Sequence, residues 1–555
     1  MGQEHRRANL PACKSRGALH ETQVIDKRPR APKENSWLSQ PTVYVVATIL
    51  AALAAGAILH YGRIQFGGED GGIMSDIAYM GKLGYRPYAE LRTSGFPPAF
   101  VLPAGWAFAL LGVRWTSLVA FAALFCAVTL IGQTWLSERA GLGRGIAILL
   151  AASTQAATML PLSAWGYNQV TSVLGALYLT AALGFVLAPK SRTACVALVV
   201  TAIGISWGKP NVAGLLLVGT ALAFLLSRDT RRSGPTLLVL AAAISCGLLI
   251  AFRTDPRAVL ASYLVASSRV TPANFITFVW TNDHAEAVQT LTLLSALLFI
   301  AFASLIRARP ALRWGSRHLA TSALAMTGIV TGIVAMGTNN DHNIVDAPVI
   351  VIGCVTLCCL AGYWRDSPLR PAIIAGLIAS VVGLTALGLI STVTRYRVYS
   401  IGPGAYYEDA PLAKVGGPVM MRGVETGPRF RSVVGDVAEL LRLNPDLHRL
   451  HAPVYFGPRM LVMYPEWGIA PPKGLPTWWG QTPDGDPRTN ADISLLRSYQ
   501  FKLMVFLSGD YTFYPQSLMR VLTSDFDVYQ WRSLTIHVRK GATDVTVPPD
   551  AVRDQ

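Results

Sequence analysis

Between Gly67 and Pro98 the chain reads GGEDGGIMSDIAYMGKLGYRPYAELRTSGFPP, an acid- and glycine-rich segment directly after the first long apolar stretch. Two adjacent carboxylates, Glu69 and Asp70, stand near its start and Arg92 near its end. A single carboxylate held on an ordered segment can take the proton from an attacking hydroxyl, and cations can meet the charge that develops on an anionic leaving group. Glu69 and Asp70 lie between glycines, so a solvated turn is the competing reading. Asp76, further along the same segment, reads as a surface or capping residue. Polar residues recur at other breaks between apolar stretches: Tyr167 and Asn168, then Lys209, then Arg269 with Asn274, then Asn339, Asn340, Asp341, His342 and Asp346. Lys209 reads either as a phosphate partner or as a snorkelling interfacial lysine. The string TNNDHNIVD suits sugar hydroxyls or is simply a polar loop tip. His342 has no second histidine at ligand spacing, and nothing in the chain calls for a bound metal or organic cofactor.

These residues need a scaffold, and the composition names it. Hydrophobic residues make up 52% of 555 and charged residues only 14%, and the mean hydropathy is +0.39. That balance predicts a multi-pass membrane protein. The net charge of +16 sits in short basic connections between apolar stretches, the pattern of cytoplasmic loops and not of nucleic-acid binding. Residues 1–41 form a polar, basic tail, read as a disordered cytoplasmic arm ahead of a retained anchor. All seven cysteines precede residue 360, and six of them lie in apolar stretches, where they read as small core hydrophobes.

Stretches near the roughly 20 residues that cross a bilayer occur at 42–60, 115–135, 145–161, 169–188, 193–208, 211–226, 236–252, 286–306, 318–337, 345–362 and 371–393. Basic connections after 188, 226, 306 and 362 place those breaks in the cytoplasm. With Arg139 and Arg144 also inside, parity makes 97–113 a re-entrant or interfacial helix and predicts about eleven crossings, N-terminus in and C-terminus out, with a twelve-crossing arrangement that violates one loop as the alternative. The expected organisation is the tail, a transmembrane domain over 42–393 with its first outer loop at 61–97, and an extracytoplasmic α/β domain over 394–555. In that last domain a helix is expected at 430–442, and strands at 454–456, 501–507, 526–531 and 534–538. Tyr455–Arg459 and the Trp478-Trp479 pair read as domain core or membrane interface in preference to an acceptor-binding surface.

The middles of the apolar stretches are nearly free of ionisable residues, whereas ion-coupled transporters keep such groups near the midplane. A reaction at one membrane face fits better than passage through it.

The segment GGEDGG…IAYMGKLGYRPYAELRTSGFPPAFVLPAGWAFALLG resembles the first outer loop of the glycosyltransferase C superfamily, in particular its protein mannosyltransferase and aminoarabinose transferase branch. That branch has an acid, a short helix ending in Gly, a "PY", another acid, and Pro-Pro opening an apolar helix. The resemblance covers about the first 230 residues. It implies transfer of a sugar from a polyprenyl phosphate on the extracytoplasmic side, with Asp70 as catalytic acid-base residue and Glu69 beside it. Trp207-Gly208-Lys209-Pro210-Asn211 resembles the family's later lysine position. The chain departs from the family at Asn168, where an acid is common, and at Phe96, where some members carry a base.

The resulting expectation is an inverting membrane glycosyltransferase using a polyprenyl-phosphate-linked monosaccharide. Lys209, Arg92 and Arg269 would meet the phosphate, and the acceptor would be a cell-envelope glycan, glycolipid or protein. A bacterial plasma membrane is expected, since the last domain holds no cysteines for disulfides. A lipid-linked sugar flippase and a non-catalytic membrane scaffold are the alternatives.

Overall fold

The computed structural model describes residues 39–64, 68–92, 95–267, 316–338, 347–361, 381–390, 392–393, 413–417, 419–449, 454–477, 487–509 and 515–554. Ten helices follow in order over the first half: α1 Gln40–Tyr61, α2 Gly68–Lys82, α3 Pro98–Leu111, α4 Trp115–Arg139, α5 Arg144–Leu162, α6 Tyr167–Leu187, α7 Arg192–Ser206, α8 Pro210–Leu226, α9 Ser233–Ala251 and α10 Pro256–Ser267. Helices Ser316–Thr338, Ala347–Ala361 and Val381–Ile390 come next.

Among the described residues, six helices are long and apolar enough to cross a membrane: α1, α4, α5, α6, α9 and Ser316–Ala335. Shorter apolar helices lie at α3, α7, α8, Ala347–Thr356 and Val381–Ile390. The expected crossings from 42–60 to 236–252, and 318–337, coincide with helix; 345–362 and 371–393 do so where they are described, and 286–306 lies outside the described residues. Leu53, Leu124, Val128, Val196, Val218 and Val239 are more than half exposed. Such a band of bare apolar side chains is stable in lipid and not in water. Segment 97–113 forms α3, whose 14 residues span about 21 Å, less than the roughly 30 Å of bilayer hydrocarbon.

Among the described residues the C-terminal unit carries two sheets. Strands β1 Ala413–Lys414 and β2 Glu425–Thr426 form an antiparallel pair. The larger sheet has β3 Val454–Phe456, β4 Leu503–Leu507, β5 Phe526–Trp531, β6 Leu534–Arg539 and β7 Val552–Arg553, in the order β3-β4-β6-β5-β7. Strands β3 and β4 are parallel, with Val454 opposite Leu503, and the other pairs are antiparallel. The β5–β6 hairpin turns on Arg532 and Ser533, with Arg532 at φ 49° as such tight turns demand. Helix Pro428–Leu443 buries Val433, Val437, Leu440 and Leu441 along one face, the amphipathic stripe read from the sequence. Helices Pro487–Ser498 and Gln516–Ser524 also belong to the unit.

One apolar core joins the two halves. It runs from Ile58, Trp115 and Trp165 through Ile77 and Phe100 to Phe430, Tyr464 and Trp531. Helix α2 lies in the middle of it.

Candidate functional site

Helix α2 holds the acid pair on its first turn: Glu69 and Asp70 are helical, and their side chains lie outside the described residues. Four of its fifteen residues are glycine, each costing about 1 kcal/mol of helix propensity against alanine. Packing supplies the difference, since every residue from Gly71 to Met80 is buried. Gly81 permits the close approach to α3, since a Cβ there would stand 2.8 Å from Cα of Gly105, whereas one on Gly72 would make ordinary contact, 3.5 Å from the Val462 backbone nitrogen in the C-terminal unit. Left-handed Gly84 (φ 77°) closes the helix, with Tyr85 N donating to Met80 O at 3.1 Å.

The far side of α2 meets the 3₁₀ turn Pro458–Met460 and the short helix Met463–Trp467. This turn places Arg459, 5% exposed, in the interior. Glu466 is fully buried and accepts hydrogen bonds from Met420 N (2.7 Å) and Met421 N (2.8 Å). Burial pushes its carboxyl up from the usual range, and those amides pull it partly back.

Asp76 corrects an expectation. Far from being a surface or capping residue, it is 0% exposed, and neither carboxylate oxygen has a hydrogen-bond partner. The C-terminal unit folds over α2 from nearly four hundred residues away, so no local pattern announces this burial. Desolvation holds its pKa well above the carboxylate range. The same burial raises the phenols of Tyr79 and Tyr464 and pushes Tyr85 up to about 12, each with a smaller contribution from Asp76.

A second constellation forms where α3, α6 and α8 begin. Pro97-Pro98 opens α3, and Ala99 N donates to Trp207 O at 2.9 Å. Lys209 is the N-cap residue of α8, and its amide donates to Thr171 Oγ1 in α6 at 3.1 Å. The Lys209 ammonium stands 4.9 Å from the centre of the Tyr167 ring, and Phe96 meets that ring edge-on at 4.7 Å. Tyr263 Oη of α10 donates to Gly208 O at 3.0 Å, and Gly95 N donates to Ser262 Oγ at 2.9 Å. Asn168 is 2% exposed on the first turn of α6. Three helix N-termini and one ammonium thus share a small region, each helix end equivalent to roughly +0.5 charge. Such an arrangement favours an anion.

Arg92 is placed elsewhere. Its Nη1 pairs with Asp492 of helix Pro487–Ser498 and donates to Gly474 O at 3.3 Å. Lys473 pairs with Glu90 at 3.4 Å and lies 4.8 Å above the Tyr85 ring, whose hydroxyl donates to Pro471 O at 2.8 Å. Gly474 N donates to Glu90 O at 2.7 Å. Arg92 therefore belongs to a seam joining the loop after α2 to the C-terminal unit, and its guanidinium is engaged there.

The structure thus brings Lys209, Tyr167 and Asn168 to the same helix ends. Arg269, Asn340, Asp341 and His342 lie outside the described residues, as do Asn274 and Trp478-Trp479. Tyr455 and Phe456 are buried in β3, as domain core. Among the described residues no cluster of three or more His, Cys, Asp or Glu has the grouping of a metal site.

Neither a protein-family model nor a curated protein matches the sequence. Among solved structures, ArnT from Cupriavidus metallidurans bound to undecaprenyl phosphate is similar at 12% identity and a TM-score of 0.45, over 91% of this chain and 99% of that one. Its apo state is similar at 14% identity and the same TM-score, over 92% of this chain and 100% of that one. The Archaeoglobus fulgidus oligosaccharyltransferase in complex with Zn and sulfate is similar at 12% identity and a TM-score of 0.45, over 92% of this chain and 74% of that one. A likeness this loose assigns no chemistry, which rests on the residues of this chain.

Proposed function

We propose that this protein is an integral-membrane glycosyltransferase. It moves a monosaccharide from a polyprenyl-phosphate donor to a cell-envelope glycan, glycolipid or protein at the extracytoplasmic face of a bacterial plasma membrane. The observation that carries this reading is the setting of the acid pair. Glu69 and Asp70 head a helix buried over its whole run from Gly71 to Met80, so the pair sits on an ordered, packed element and not on a solvated turn.

In the proposed reaction the acceptor oxygen attacks the anomeric carbon from the side opposite the phosphate. The bond from that carbon to the phosphate oxygen breaks, and polyprenyl phosphate leaves with the electron pair. Asp70 takes the hydroxyl proton, with Glu69 beside it. A phosphate leaves readily, so a second, protonating carboxyl of the kind a glycosidase needs is not required. Lys209, at the shared helix ends of α3, α6 and α8, meets the developing phosphate charge. Arg269 and the Asn340-Asp341-His342 string remain candidates for donor or acceptor contacts. Arg92, paired with Asp492, is assigned to bracing the loop.

The test is a deletion strain analysed by mass spectrometry of its envelope and lipids. Loss of one sugar from an envelope glycan, with build-up of the matching polyprenyl-phosphate sugar and recovery of both on complementation, is the expected result. Purified protein that carries labelled lipid across vesicles without transferring sugar would instead establish the flippase.

A further inference from the structure

Asp76 is a buried acid that the proposed transfer does not use. It stands on the face of α2 that meets the C-terminal unit. Gly72, one turn earlier at i−4, is the residue whose added Cβ would lie 3.9 Å from Cβ of Val462, and residues four apart share a helix face. Asp76 therefore lies in the same seam, fully buried, with no hydrogen-bond partner for either oxygen.

No hydrogen-bond donor meets its charged form. Helix α3, packed on the other side, carries no titratable residue. The 3₁₀ turn brings Arg459, the short helix brings Tyr464 and Glu466, the following loop brings Tyr85, and α2 itself brings Tyr79. The groups that feel the Asp76 charge are the three tyrosines. Burial is what raises the carboxyl. An isolated buried carboxylate is strongly disfavoured, so the group stays neutral or the site opens to water.

We propose that Asp76 is a positioning residue whose proton holds α2 seated against the 458–467 segment, so that seating weakens as the surrounding pH rises. The sign follows from linkage. The seated carboxyl titrates above its open-state value near 3.9, so over the interval between the two the open state releases a proton that the seated state keeps. Across that interval the ratio of open to seated forms rises about tenfold per pH unit, and above the seated value it levels off. Since α2 also carries Glu69 and Asp70, opening displaces the proposed base. That consequence for transfer rests on the proposed reaction, whereas the seating equilibrium does not.

The experiment is amide hydrogen exchange of the full-length protein in detergent or nanodiscs, wild type against Asp76→Asn, from pH 5 to pH 9. Comparison at each pH cancels the intrinsic base catalysis of exchange. Opening of α2 and of residues 458–467 in wild type, relative to Asp76→Asn, is expected to rise about tenfold per pH unit before levelling. The β4–β6 amides should show no such rise. Equal exchange in the two proteins at every pH overturns the proposal. So does an equal rise across the whole C-terminal sheet, which would tie the proton to global stability. A second variant keeps Asp76 and locks the seam with Gly72→Cys and Val462→Cys, whose 3.9 Å Cβ separation suits a disulfide. Oxidised, it should lose the pH slope and regain it on reduction; a slope that survives oxidation also overturns the proposal. Transfer activity adds an alkaline loss in wild type that Asp76→Asn lacks, and a failure of transfer altogether would leave the exchange result intact.

Discussion

The ammonium of Lys209 stands 4.9 Å from the centre of the Tyr167 ring, although 42 residues separate them. Lys209 caps α8 and Tyr167 begins α6, so the pair joins a fixed positive charge to two helix N-termini. Lys209→Met is expected to lower sugar transfer about 10²-fold or more, the usual cost of removing one preorganised donor. Tyr167→Leu removes the ring contact with the ammonium, about 1 kcal/mol, together with the edge-on packing of Phe96, and should cost several-fold. Initial transfer rates with a synthetic polyprenyl-phosphate sugar check both, and an unchanged rate for Lys209→Met removes it from the site.

The pairing of Arg92 with Asp492 predicts a stability defect that is separate from binding. The Asp492 side chain is 3% exposed, so Arg92→Ala takes the paired cation from a buried carboxylate, at a cost of about 3 kcal/mol. Asp492→Asn leaves no stranded charge and should cost less. Thermal denaturation in detergent measures both. The KM for donor lipid should stay the same in whatever Arg92→Ala protein remains folded; a KM increase without loss of stability would return Arg92 to the phosphate.

Much of this architecture is legible in the sequence, because its cause is local. Apolar runs of bilayer length become helices, and β3 and β5 occupy the strands expected at 454–456 and 526–531. The stripe at Val433, Val437 and Leu440 becomes a buried helix face. What is not legible depends on partners distant in the chain. Asp76 looks like a surface residue until the 458–467 segment covers it, and Arg92 looks like a free cation until Asp492 arrives from 400 residues away. Helix Pro487–Ser498 is missed because its sequence, PRTNADISLLRS, is mostly polar and lacks an extended apolar period. The amphipathic Gln516–Ser524 is missed because it is only 9 residues long.

The glycine contact between α2 and α3 predicts a steep packing cost. A Cβ at Gly81 would be 2.8 Å from Gly105 Cα, closer than any real contact. Gly81→Leu should therefore force the two helices apart, costing about 3 kcal/mol or more, with loss of transfer as α2 moves. Gly132→Ala in α4, where an added Cβ meets nothing within 4 Å, should be neutral or slightly stabilising. Melting temperatures of the two variants decide this.

The C-terminal unit should weaken in acid through His537. Its ring lies 5.1 Å from that of Phe506, is 1% exposed, and contacts Leu522 O through Nδ1 at 3.4 Å. Burial holds its pKa down to about 4, against 6.5 in the free side chain. The unfolded chain then binds the extra proton first, so stability is lost as pH falls from about 6.5 to about 4, by about 3 kcal/mol in all. His537→Gln should flatten that loss. An identical acid slope in both proteins would contradict the assignment.

The central claim is that Asp70 is the base of a sugar transfer, and Asp70→Asn tests it most directly. The variant and wild type, matched for membrane abundance, would complement a deletion strain, with the envelope glycan profile read by mass spectrometry. Wild type should restore the missing sugar. Asp70→Asn should fail to restore it, reflecting a rate loss of about 10²–10⁴. Full restoration by Asp70→Asn would contradict the account and shift the proposed chemistry to Glu69 or away from transfer altogether.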